Sequence, residues 1–135
     1  MNAMVVPVVV FAGLVLVQTL WPAVSHWYFS RFQDGRRAGL SDLLGPRDNQ
    51  PEVSQSTARA RRALQNFTEA SLLFLPALVL VMTLPSSGLA VTGSWVFVIA
   101  RVVYLPCYLF GVYAMRTVAW SLGHIGVGMM LWSLL

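Results

Sequence analysis

Two short stripes of polar residues interrupt an otherwise apolar chain, and their spacing could do chemistry. Arg59, Arg62, Asn66 and Glu69 step by three, four and three, which sets them on one face of a helix. Arg101, Tyr104 and Tyr108 step by three and four on a second helix, and Arg116 is the only charged residue after Arg101. Arg62 and Arg116 can present guanidinium forks to a carboxylate or a thiolate. Asn66 can pair with an amide, Glu69 can accept from an ammonium, and Tyr104 and Tyr108 can donate a hydrogen bond or stack. Together these groups suit a small, anionic, peptide-like ligand.

The elements that must position them are membrane helices. Of 135 residues, 57% are hydrophobic and 10% charged, with a mean hydropathy of +0.68, far from the quarter or so of charged residues in soluble proteins. Apolar runs of about 20 residues cross about 30 Å of hydrocarbon as helices. Four spans fit, at roughly residues 4 to 29, 57 to 84, 93 to 114 and 116 to 134. Helices are required because lipid cannot satisfy free backbone groups. The segment Met1, Asn2 and Ala3 lacks the positive charge of a secretory signal, and Trp21, Trp27 and Tyr28 form an interfacial belt, so the first run is expected to stay as a span. The four spans make one membrane domain, with no internal repeat or low-complexity tract.

Arginine sets the expected orientation. All nine basic residues are Arg, and Arg31, Arg36, Arg37, Arg47, Arg59, Arg61 and Arg62 lie between the first two spans or open the second. That loop is expected to be cytoplasmic and both termini not, since the rule counts basic residues rather than net charge. The uncharged connection Pro85 to Gly93 then lies on the opposite side, and Arg116 returns to the cytoplasmic one. A pI near 10.0 reflects these loops and an attraction to anionic headgroups; no nucleic-acid motif is present.

Depth suggests a pairing inside the bundle. Glu69 lies about two turns, roughly 10 Å, deeper than Arg62, and Arg101 is the deep end of its own stripe on an antiparallel helix. A buried ion pair of Glu69 with Arg101 would satisfy both. Intramembrane polar residues also serve simply to hold helices together, and Arg62 can be an interfacial arginine with its head in water. His26 belongs to the aromatic belt, and His124 has no second ligand at metal spacing, which makes it a hydrogen-bonded bundle histidine. No metal site is expected. Cys107 lies within the third span and has no disulfide partner in the chain. Gly123, Gly126 and Gly128 allow close helix approach, as at a subunit contact.

Glutathione carries every group that the polar set is suited to bind, and the residues resemble a family that uses it. Arg59-x-x-Arg62-Ala63-x-x-Asn66-x-x-Glu69 followed by Phe74, then Ala100-Arg101-x-x-Tyr104-x-x-x-Tyr108 followed by Arg116-Thr117, is similar to the pattern of the MAPEG proteins, the membrane-associated proteins in eicosanoid and glutathione metabolism. The resemblance covers nearly the whole chain. It departs at Leu64, where His or Gln is common, at Leu73, where proline is common, and in a shorter stretch from Tyr108 to Arg116. Arg116-Thr117 with Trp120 resembles the bacterial branch.

The resemblance implies an all-α integral membrane bundle of four helices assembled as a homotrimer. Glutathione, as cosubstrate, would lie between neighbouring subunits near the cytoplasmic face, held by Arg62, Asn66, Glu69, Tyr104 and Tyr108, with Arg31 reaching a carboxylate. Arg116 would stabilise the thiolate and is the expected catalytic residue. The implied activity is transfer of glutathione to a hydrophobic small-molecule electrophile, or reduction of a lipid hydroperoxide, in a bacterial inner membrane. A non-catalytic member acting by assembly or partner binding is the alternative. A channel or transporter would need a continuous polar path, which the sequence stops at Glu69 and Arg101.

Overall fold

The computed structural model describes residues 3–33 and 55–135, with the side chains of 27–33 outside the description. Four helices follow in order: α1 Val5–Gln33, α2 Gln55–Thr83, α3 Gly88–Phe110 and α4 Tyr113–Trp132. The protein is an all-α integral membrane bundle. At 1.5 Å per residue, α2 is about 44 Å long, so its first turns, with Arg59, Arg61 and Arg62, can stand clear of the hydrocarbon. Helices α1, α2 and α3 each carry a stretch long and apolar enough to cross a membrane. Helix α4 is diluted by Arg116, Thr117, Ser121 and His124, but it lies antiparallel along α3, its principal neighbour, from end to end.

The outside of the bundle is as apolar as its inside, as expected when the solvent is lipid. Val9, Leu16 and Leu72 are each more than 60% exposed. Inside, α2 buries Ala60, Ala63, Phe67, Ala70, Phe74 and Ala77 along one stripe, and α1 with the residue before it buries Met4, Phe11, Gln18 and Ser25 at intervals of seven. Phe11 packs on Phe67 and Phe74 with ring centroids 5.6 and 4.8 Å apart, and Phe74 stacks on Phe97 at 4.1 Å. Such pairs contribute about 0.5–1.5 kcal/mol each beyond simple burial. Polar side chains on these helices bond back to their own backbone. Thr68 and Ser71 donate to the carbonyls of Leu64 and Phe67, and Thr83 to that of Val79.

Helices α3 and α4 form a tight hairpin. Gly111 ends α3 at φ 77° and ψ 27°, a left-handed conformation that favours glycine, and Val112 donates to the Cys107 carbonyl at 2.9 Å. At the far end, the Ser87 N–H donates to the Ser133 carbonyl at 3.3 Å. Gly93 and Gly126 lie where the two backbones cross: a Cβ on Gly126 would meet the Gly93 carbonyl oxygen at 2.6 Å. Two of the three α4 glycines therefore serve contacts within the chain, Gly126 here and Gly123 against Arg101, while Gly128 has open space around it.

The third helix occupies Gly88–Phe110 and not the expected 93 to 114. Its start follows from the chain turning at Ser87, the N-cap, directly after Pro85 and Ser86. Its early end follows from Gly111, whose backbone conformation closes the helix before Val112.

Candidate functional site

At the end of the bundle where α2 begins and α3 turns into α4, a cleft of about 250 Å³ is lined by Asn66, Tyr104, Tyr108, Arg116, Thr117 and Trp120. Three helices contribute. Asn66 comes from α2, where its Nδ2 donates to the Arg62 carbonyl at 2.9 Å. Tyr104 is buried on α3, and Tyr108 lies one turn further toward the turn, with ring centroids 5.6 Å apart. Arg116 sits in the first turn of α4, half-buried, its Cζ 5.2 Å from the Tyr108 ring centroid and 5.5 Å from that of Tyr113. Among the described residues no carboxylate pairs with it, so its field acts on whatever enters the cleft.

Four of the residues read from the sequence, Asn66, Tyr104, Tyr108 and Arg116, thus meet around one space. Arg62 and Glu69 do not line it; they flank Asn66 on the exposed side of α2. The Arg31 side chain lies outside the described residues. Thr117 and Trp120 line the cleft without having been read as site residues. Their signal was present: Thr117 adjoins Arg116, and Trp120 is one turn from it, on the same face.

The expected ion pair of Glu69 with Arg101 is not formed. The Glu69 carboxylate accepts from Gln65 Nε2 at 3.1 Å on the exposed side of α2. Arg101 is 0% exposed, and its Nε, Nη1 and Nη2 have no hydrogen-bond partner. Its guanidinium lies over the Phe97 and Tyr104 rings, with Cζ 5.2 and 5.5 Å from their centroids. Gly123 makes room for it, since a Cβ there would fall 2.6 Å from Nη2. The depths do match: Phe74 stacks on Phe97, and Glu69 and Arg101 lie five and four residues from them toward the same end. Rotation is what differs. Glu69 precedes the buried Ala70 and so points about 100° away from the inner stripe. Gln18 on α1 is likewise buried with both amide atoms unpartnered. His124 is a hydrogen-bonded bundle histidine: its Nδ1 lies 2.8 Å from the Trp120 carbonyl, which can only accept, and its ring packs on Trp120 at 4.0 Å.

Fold and cleft together define a multi-pass membrane protein whose polar chemistry is gathered at one end of a helical bundle. The chain belongs to the MAPEG family, whose sequence model matches residues 4–135. Neither the curated proteins nor the solved structures include a match to it. The family comprises membrane helical bundles, among them glutathione transferases and peroxidases as well as non-catalytic members.

Proposed function

We propose that this protein is a glutathione-dependent membrane transferase or peroxidase, acting as a homotrimer on a hydrophobic electrophile or a lipid hydroperoxide. The observation that carries the reading is Arg116: a half-buried guanidinium seated between two tyrosine rings at the cleft, with no carboxylate partner among the described residues. Asn66 supplies amide recognition at the same cleft, and Arg62, Glu69 and Arg31 are assigned to the charged ends of glutathione. Arginine remains charged at any working pH, so Arg116 favours thiolate over thiol without itself giving up a proton. Each unit by which the thiol pKa falls corresponds to about 1.4 kcal/mol.

In transfer, the thiol proton leaves to solvent and the sulfur forms a bond to the electrophilic carbon, either as a leaving anion departs with the electrons of its own bond to that carbon or, at an activated double bond, as the π electrons shift to a neighbouring atom that solvent then protonates. With a hydroperoxide, the sulfur attacks the terminal oxygen, the O–O bond breaks, and the departing alkoxide takes a proton. The resulting sulfenic acid then reacts with a second glutathione to give disulfide and water. A hydrophobic acceptor would arrive from the bilayer. An apolar groove of about 310 Å³ on the α3–α4 hairpin, which includes Met115 beside Arg116, offers it a surface.

Ultraviolet difference spectroscopy of the purified protein with glutathione tests this. The wild type should show a thiolate band at neutral pH. Arg116→Ala should lose it while still binding glutathione, and Arg116→Lys should recover only part, because an ammonium is a point charge and not a planar fork. A wild-type band in Arg116→Ala would remove Arg116 from the chemistry. Glutathione bound only as the thiol by the wild type would leave a binding protein without catalysis.

A further inference from the structure

Arg59 opens the first polar stripe, yet it lies apart from the cleft. Its side chain crosses from the second turn of α2 to the C-terminal end of α3, where Nη1 donates to the Leu109 carbonyl at 3.0 Å. The same guanidinium lies against Gly111: a Cβ there would come within 3.7–3.9 Å of Nη1, Nη2 and Cζ. The last turn of α3 has no basic residue of its own, although its final carbonyls carry the negative end of the helix dipole and lack intrahelical partners. Arg59 supplies that charge and one of those hydrogen bonds from another helix.

The turn it holds is only Gly111 and Val112. On one side of the turn is Tyr108; on the other are Tyr113 and Arg116, whose amide donates to the Val112 carbonyl at 3.1 Å. The Arg116 guanidinium packs on both tyrosine rings, so the distance between cation and phenol is set by the geometry of this turn. We propose that Arg59 is a positioning residue: by binding the Leu109 carbonyl and covering Gly111, it fixes the α3–α4 turn and thereby the seat of Arg116 over Tyr108. Its part in catalysis rests on the glutathione reading above; its part in placing Arg116 does not.

The test uses the full-length protein in lipid nanodiscs with fluorotyrosine incorporated, the Tyr108 fluorine resonance being identified by its loss in Tyr108→Phe. Arg59→Met should move that resonance in the same direction as Arg116→Ala, and Arg59→Lys, which can still donate to Leu109, should lie nearer the wild type. Amide exchange from Val112 to Arg116 should be faster in Arg59→Met. Neither measurement needs glutathione. With glutathione present, Arg59→Met should raise the pH midpoint of the thiolate band by roughly one unit, a tenfold loss of thiolate below the midpoint, with affinity for the bound thiol little changed. An unmoved Tyr108 resonance with unaltered exchange in both variants overturns the proposal. Absence of any thiolate band in the wild type defeats the glutathione reading alone, and the fluorine and exchange results still decide the role of Arg59. If Arg59→Met does not fold, Arg59→Gln, which is neutral and shorter, decides it: a Tyr108 resonance and amide exchange identical to wild type would reject positioning by Arg59.

Discussion

At the scale of single residues, the least expected feature is Arg101, a cation enclosed by the bundle without a hydrogen bond. Contacts with the Phe97 and Tyr104 rings recover part of what desolvation costs, about 2 kcal/mol or more for a desolvated cation–π pair, but an unpaired buried charge costs more than that. Arg101→Met should therefore leave the thermal midpoint in lipid unchanged or raise it, with a gain of about 1–4 kcal/mol where an apolar side chain of similar length fills the space. Because Glu69 is bonded to Gln65, Glu69→Gln should add independently to Arg101→Met in a double-mutant cycle; a coupling well above about 0.5 kcal/mol would show that the two residues interact after all. Arg101 lies against the Tyr104 ring, which lines the cleft, without lining it itself, so under the proposed glutathione reading the same variant should also weaken binding there. Part of the candidate cleft was legible in the sequence: Asn66, Tyr104 and Tyr108 were identified by spacing and Arg116 as the only charge after Arg101, and these four line one space. The Glu69 side chain was misplaced because spacing along the axis gives depth, while the rotation of one helix against another depends on which small residues, here Ala63 and Ala70, it turns inward.

Among the elements, the α3–α4 hairpin sets the geometry of the cleft, since both Tyr108 and Arg116 flank its turn. Its close crossing rests on glycines whose environments differ sharply. At Gly126 a Cβ would meet the Gly93 oxygen at 2.6 Å and the Phe97 nitrogen at 2.7 Å, both backbone atoms that cannot step aside, whereas at Gly128 nothing lies within 4 Å. Gly126→Ala should destabilise the protein by about 1–3 kcal/mol, the usual range for overpacking, and Gly128→Ala should be neutral or stabilise it by up to about 1 kcal/mol through helix propensity. Thermal unfolding of the two variants in the same lipid decides this, and equal effects would mean that the crossing is not the tight contact described. The existence of the four helices was legible in the apolar runs. Their ends were less so: the second connection was expected at Pro85 to Gly93, but only Leu84 to Ser87 stay outside the helices, because apolar Leu89, Ala90 and Val91 extend α3 toward its cap. Glycine spacing carries part of the distinction between a contact inside the chain and an outward face: Gly123 and Gly126 are three residues apart and share a face, whereas Gly128, two residues further on, points about 200° away from Gly126.

For the whole molecule, the bundle has two chemically distinct ends. The Arg59 to Leu109 hydrogen bond ties the start of α2 to the end of α3 and the start of α4, while the Ser87 to Ser133 hydrogen bond ties the α2–α3 turn to the end of α4. Arg59, Arg61, Arg62 and Arg116 consequently gather at one end, and the turn at the other end, Leu84 to Ser87, carries no charge. The distribution of arginine favours the orientation expected from the sequence, with the cleft toward the cytoplasm, the compartment in which glutathione helps to keep thiols reduced. Orientation and function are thus linked, because the opposite insertion would turn the cleft away from its proposed cosubstrate. In a Cys107→Ser background, Ser56→Cys at the exposed start of α2 should react with a membrane-impermeant maleimide only from the cytoplasmic side, and Ser86→Cys only from the other. Labelling of Ser86→Cys from the cytoplasm would invert the topology, and an inverted protein would have to find its anionic ligand outside the cell, which would leave the geometry of the cleft intact but remove glutathione as the ligand it serves.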